Sequence, residues 1–286
     1  MQARLQQASP IVVIGMHRSG TRVIVDVLDK LGVFMGADRQ GDGESVSFMQ
    51  INEWILHQCG AFWSEPMSAH FMLSEPDVVE QLAVGAREAL AAQIARFAGP
   101  ADWLLEASGA PLPAFGWKDP RNTFTVPVWK AVFPNLRAIH IIRHGVDVAA
   151  SLARRHGAAM RAATGESAPS ALTVIRDHAL GILSSRRGWT LPEAFTMWEQ
   201  YVEKARQECE ALGARALEIR YEDLLFEPEK VVPVIAKFCG VTLQGQQAAP
   251  QEGLQRDRAF AFRADADLVD FAGYGREALA RYGYAA

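Results

Sequence analysis

The chain has 286 residues, 49% hydrophobic and 22% charged, which excludes an intrinsically disordered chain and suffices for one large α/β domain with a sizeable core. A formal net charge of -4 argues against nucleic acid as a partner, since backbone binding rests on a surplus of Lys and Arg. The 3 cysteines show no C-x-x-C spacing, no apolar leader precedes Ser9, and no run is long enough to span a bilayer; a cytoplasmic chain with reduced thiols and no transmembrane segment is expected.

Residues 1–9 are expected to be disordered. Pro10 to Leu31, PIVVIGMHRSGTRVIVDVLDKL, is the first organised stretch. Ile11 to Ile14 is a β-branched run that reads as a strand buried on both faces. The turn Gly15-Met16-His17-Arg18-Ser19-Gly20-Thr21 follows, and then Val23, Ile24, Val27, Leu28 and Leu31 recur at helical spacing. Strand, glycine turn and helix aim backbone N–H groups and the positive end of a helix dipole at one point, which makes an anion site suited to phosphate. A P-loop needs Lys and then Ser or Thr after its second glycine, and here Thr21 and Arg22 stand there. The site therefore reads as one for a phosphate without an obligatory metal, with Arg18 restoring positive charge.

Gly32 to Ser47 is a Gly- and Asp-rich loop that carries Glu44, and Phe48, Ile51, Ile55 and Leu56 then resume a helix ending near Gly60. Glu44 is either a carboxylate facing the anion loop or a solvated or capping charge. Ala61 to Pro76 is irregular and apolar, a pocket wall or simply core. Asp77 to Ala98 is helix-prone and closed by Gly99-Pro100, and Trp103 to Glu106 reads as a short strand.

Lys118 precedes Asp119-Pro120 and is expected at a strand end, where open α/β sheets place ligands; the competing reading is a surface salt bridge with Asp119. Ala138 to Ile142 is a second buried strand that ends at Arg143, and Gly145 opens a helix. Ser151 and Arg155 lie four apart on that helix, share a face and lean toward Arg143, so the three form a second candidate anion site or an ordinary polar helix face. Arg137, Arg143, Arg154, Arg155 and Arg161 form the local basic region of an otherwise acidic chain. Arg154 to Gly188 reads as a substrate-covering segment. Thr190-Leu191-Pro192-Glu193 is a capping box that opens a long helix with an apolar stripe from Ala194 to Leu212. Ala216 to Tyr221 is a third strand candidate, followed by a helix near Glu229 to Phe238. The tail, residues 242–286, contains Arg256, Arg258 and Arg263 and is expected to pack on a single domain spanning residues 1–286.

Taken together, GMHRSGT at Gly15 to Thr21, KDPR at Lys118 to Arg121, FPNLRAIHIIRHGVDVAASL running to Leu152, and RYEDLL at Arg220 to Leu225 resemble sulfotransferases that use 3′-phosphoadenosine 5′-phosphosulfate (PAPS). The likeness is to bacterial relatives of the Golgi-type and tyrosylprotein enzymes. It implies an α/β, three-layer P-loop-like fold with a central, mostly parallel sheet flanked by helices. It also implies that PAPS is the co-substrate, that PAP (3′-phosphoadenosine 5′-phosphate) is the product, and that no metal is required. His17, Arg18, Ser19, Gly20 and Thr21 would hold the 5′-phosphate; Arg143 and Ser151 the 3′-phosphate, with Arg155 a further basic position. Tyr221 would lie against the adenine or the nucleotide sugar, and Lys118 would stabilise the transferring group.

Two departures from the family pattern stand out. Arg22 replaces the usual hydroxyl residue, and the loop that should deliver a glutamate base is longer. Glu44 is the nearest candidate base, with Glu53 and His17 behind it, and Arg18 and Lys118 would offset developing charge. The expected acceptor is a hydroxyl or amine of a small molecule, glycan or glycolipid, with Phe62, Trp63 and Trp117 as candidate pocket walls. Two rivals remain: a P-loop small-molecule kinase, with Glu106 as its metal-binding acid, and a nucleotide-binding protein without catalysis, in which Glu44 and Lys118 would be dispensable.

Overall fold

The computed structural model describes residues 7–99, 112–164, 188, 190–243 and 254–286, the side chains of 157–164 excepted. The short strand expected at Trp103 to Glu106, the kinase-type acid Glu106 and most of the segment after Thr164 lie outside the described residues. Two compact units emerge, one made of Met1–Ile142 with Tyr201–Arg256, the other of Arg143–Gln200 with Asp257–Ala286.

The first unit contains a parallel sheet flanked by helices. Its strands are β1 (Ile11–Ile14), β2 (Gly116–Lys118), β3 (Arg137–Ile142) and β4 (Ala216–Arg220), in the order β2-β1-β3-β4. Val12 pairs with Trp117 on one side and Ala138 on the other, and Ile139 pairs with Leu217. All four residues of β1 are buried, as expected of a strand covered on both faces. At Gly116 an added Cβ would lie 1.9 Å from the Ile11 carbonyl oxygen, so this edge of β1 tolerates only glycine. The strand order reverses between β1 and β3, the switch point at which open α/β sheets bind ligands.

The helices of this unit are α1 (Thr21–Lys30), α2 (Val46–Gln58), α3 (Met67–Met72), α4 (Pro76–Ala98) and α5 (Asn122–Val132). Within the irregular stretch Ala61 to Pro76, α3 is the element that the apolar pattern did not show. Trp117 does not line a pocket: it is fully buried and stacks on Phe48 at 3.8 Å between ring centroids. It supplies core area instead. Strand β4, expected from the sequence to run to Tyr221, stops at Arg220, because Tyr221 opens the helix α8 (Tyr221–Phe226), after α6 (Gly145–Thr164) and α7 (Leu191–Leu212) in the chain. The helix α9 (Pro228–Cys239) follows and ends at Gly240 in the left-handed conformation.

The second unit holds α6, the start of α7, and the tail helices α10 (Ala266–Tyr274) and α11 (Arg276–Arg281). Gly145 lets α6 begin against α7, where an added Cβ would meet Trp198 at 2.6 Å and Phe195 at 2.7 Å. The N-cap half of the capping box forms, with the Glu193 amide donating to Thr190 Oγ1 at 3.4 Å, while the Thr190 hydroxyl donates to the Glu193 carboxylate at 2.8 Å. The tail closes this unit, with the Phe262 ring stacked on His144 at 4.3 Å. Among the described residues no helix is long and apolar enough to cross a membrane.

Candidate functional site

The turn after β1 is shaped by three residues with positive φ, Gly15 at 132°, Arg18 at 72° and Gly20 at 93°. Gly15 is indispensable for space as well as φ, since a Cβ there would lie 2.5 Å from the Ile141 carbonyl oxygen on β3. Its amide donates to Thr123 Oγ1 at 3.0 Å, and the Ser19 amide donates to the Met16 carbonyl at 3.1 Å, which closes the turn. The turn therefore sits at the β1/β3 switch point. Gly20 caps α1, which has no side-chain cap and no acid in its first turn, so the helix dipole is uncompensated by its own residues there. Ser19 and Thr21 are buried in the same turn.

Tyr221 supports the loop from below. It is 3% exposed, and an added Cβ at Gly20 would reach its ring at 2.2 Å. His17 meets Trp63 edge-on at 4.8 Å and Tyr201 at 6.3 Å, while the Tyr201 hydroxyl donates to the Trp63 carbonyl at 2.6 Å. Trp63 and Phe62, both half-buried, thus belong to the aromatic surroundings of the loop.

Lys118 ends β2 beside Val13, two residues before the loop. Its ammonium donates to Glu44 Oε1 at 2.9 Å and to the Asp42 carbonyl at 3.0 Å. Both side chains are buried, 3% and 8% exposed, so the competing reading of Lys118, a surface pair with Asp119, does not hold, and the expected strand-end position does. Asp119 instead accepts from Arg121 at 3.0 Å. Burial on its own would raise the Glu44 carboxyl, but the charge and hydrogen bond of Lys118, with help from Gln40 and Arg121, outweigh it and hold that carboxyl below its ordinary value. Gln40 Nε2 donates to the other oxygen, Oε2, at 2.9 Å. Glu53, the second candidate base, is paired with Arg121 at 3.0 Å.

Beneath this pair lies a buried polar cluster that the sequence reading missed. Asn52 donates to Asp119 Oδ2 at 2.8 Å and to Asn122 Oδ1 at 2.7 Å, and accepts from Thr125 and from Trp129 Nε1. Asn122 also accepts from Trp117 Nε1 at 3.1 Å. The cluster fixes the backbone just past Lys118. Asn52 was visible in principle, because it falls four residues after Phe48 and three before Ile55, on the apolar stripe of its own helix.

In the second unit, Arg143 Nη2 donates to the Arg258 carbonyl at 2.6 Å and lies 3.3 Å from Asp147. Asp147 in turn accepts from the Ala261 amide at 3.3 Å and the Phe262 amide at 2.8 Å. Trp198 Nε1 donates to the Arg143 carbonyl at 3.0 Å. Ser151 and Arg155 follow on α6, half-buried and exposed respectively. Arg258 reaches Arg143 through its carbonyl, and Arg256 Nε donates to the Leu225 carbonyl at 3.2 Å.

A sequence model described as the sulfotransferase family matches residues 10–245. No curated protein matches the chain. Among solved structures, the sulfotransferase STF9 from Mycobacterium avium shares 13% identity at a TM-score of 0.50, covering 99% of this chain and 79% of that one. A sulfotransferase domain from the curacin biosynthetic pathway shares 15% identity at 0.49, covering 93% and 96%. The sulfotransferase from Alicyclobacillus acidocaldarius shares 14% identity at 0.49, covering 96% and 94%. At such identities the likeness to STF9 speaks to the fold alone.

Proposed function

Because the chain belongs to the sulfotransferase family, sulfuryl transfer is the chemistry its site has to serve, and we propose that it moves the sulfuryl group of PAPS to a hydroxyl or amine of a small-molecule, glycan or glycolipid acceptor. The observation that carries this reading is the buried Glu44–Lys118 pair set beside the glycine loop. A carboxylate held ionised can take a proton, and an ammonium can offset charge that develops on the group in transit.

The loop fits the 5′ end of the donor. An α1 N-terminus with no acid in its first turn, the cation Arg18, and the hydroxyls of Ser19 and Thr21 make a donor set suited to an anion. Tyr221 serves by holding Gly20 in place. Arg143 and Ser151, with Arg155, are assigned to the 3′-phosphate on the strength of the family resemblance.

In the reaction the acceptor oxygen or nitrogen attacks sulfur as the bond from sulfur to the 5′-phosphate oxygen breaks. PAP leaves, and the acceptor proton passes to Glu44. Lys118 and Arg18 offset charge on the transferring and leaving oxygens, the positioning logic shared with phosphoryl transfer. His17 and Glu53 stand behind Glu44 as candidates for the base.

Isothermal titration with PAP, beside ATP and with and without Mg²⁺, tests the donor. Metal-independent PAP binding that weakens about tenfold or more in Arg143→Ala is expected, the loss typical of one charge-assisted contact. Binding of ATP alone, and only with Mg²⁺, would replace this reading with a kinase.

A further inference from the structure

Arg22, the residue that breaks the loop's hydroxyl pattern, lies in the first turn of α1 with about half of its side chain exposed. Its Nε donates to Asp26 Oδ1 at 2.9 Å and its Nη1 donates to the Gly41 carbonyl at 2.5 Å. A Cβ at Gly43 would come within 3.0 Å of Arg22 Cδ, so the arginine stem lies along the turn from Gln40 to Glu44. That turn is closed by the Gly43 amide donating to the Gln40 carbonyl at 2.8 Å and the Gln40 amide donating to the Glu44 carbonyl at 3.0 Å. Lys118 grips the same turn from the sheet, through the Asp42 carbonyl and the Glu44 carboxylate.

We propose that Arg22 is a positioning residue, which fastens the Gln40–Glu44 turn to the first turn of α1 so that the anion loop and the carboxylate of Glu44 are set as one piece. The need for such a fastener lies in the sequence: a turn with glycines at 41 and 43 has large conformational freedom to lose. A planar guanidinium suits the task, because it holds Asp26 and a backbone carbonyl at once, which a lone hydroxyl cannot. Asp26 orients the fork, and the carbonyl of Gly41 receives a charge-assisted bond. The hydroxyl that the loop lacks is thereby exchanged for control over the neighbouring turn. The catalytic meaning of this assignment rests on Glu44 serving as the base; its geometry does not.

Two spectroscopic readouts test it without any acceptor: amide hydrogen exchange of Gln40 and Gly43, the two donors that close the turn, and the titration of Glu44 in protein labelled at its glutamate carboxyls. The cations that act on Glu44 are Lys118 and Arg121, and neither is altered by the variants. Arg22→Ala is expected to speed exchange at both amides about tenfold, the factor for loss of one hydrogen bond, and to move the Glu44 titration up toward its ordinary value as the grip of Lys118 loosens. Arg22→Lys keeps a cation and a donor on the same stem and is expected to recover most of the protection. Exchange and titration in Arg22→Ala that match the unsubstituted protein would overturn the assignment. A Glu44→Gln variant with undiminished sulfuryl transfer would overturn the base reading alone and leave the fastening intact.

Discussion

The Glu44–Lys118 pair is the place where charge, burial and chemistry meet in single residues. Removing one partner of a buried pair strands the other and typically costs 3–5 kcal/mol, at the order-of-magnitude level. Lys118→Met and Glu44→Gln are therefore each expected to destabilise the protein in denaturant unfolding, and the double variant is expected to lose clearly less than the sum. Additive losses would mean that the pair is not coupled. Kinetics separate the roles further. Lys118→Ala is expected to lower turnover about a hundredfold or more, ~3 kcal/mol in barrier, while PAP affinity changes little. Near-normal turnover would remove Lys118 from the chemistry.

At the level of elements, the glycine loop was legible because its residues are constrained by backbone geometry, which sequence records directly. Gly15 and Gly20 occupy positive φ, and each faces an atom that leaves no room for a Cβ. Gly20→Ala is expected to cost at least about 2 kcal/mol and to abolish measurable PAP binding, because both the left-handed backbone and the Tyr221 ring oppose it. Pairing it with Tyr221→Leu should recover part of the stability if the ring is the main obstacle; no recovery would assign the loss to the backbone. The capping box at Thr190 was legible for the same local reason. The bonds of Asn52 and the pairing of Arg121 with Glu53 were not, since these partners lie on other elements: Asn52 meets Asp119 and Asn122 some seventy positions away. The pairing of Lys118 with Glu44 rather than its neighbour Asp119 was hidden likewise, because a pair 74 positions apart leaves no periodic trace. Trp117, a candidate pocket wall by residue type, lies in the core, stacked on Phe48.

For the molecule as a whole, acid stability is set in part by a cluster far in sequence from the glycine loop. Glu218 on β4 takes a hydrogen bond from His140 Nδ1 at 3.0 Å and a forked pair from Arg206. Burial would raise its carboxyl, but these bonds outweigh burial and bring it down to about 2, from an ordinary 4.5. A carboxyl whose folded value lies below its unfolded one stabilises the fold fully above the unfolded value, and this contribution is lost as pH falls through the folded value. Stability should therefore decline between about pH 4.5 and about pH 2, and Glu218→Gln should flatten that limb in unfolding measured across the window. An unchanged slope would place acid sensitivity elsewhere. The family match ends at residue 245, whereas the backbone that holds Arg143 and Asp147 comes from residues 258–262. The arginine and the brace that aims it are thus separately heritable: a chain selected for likeness over the matched range alone would keep the cation without any guarantee of its orientation.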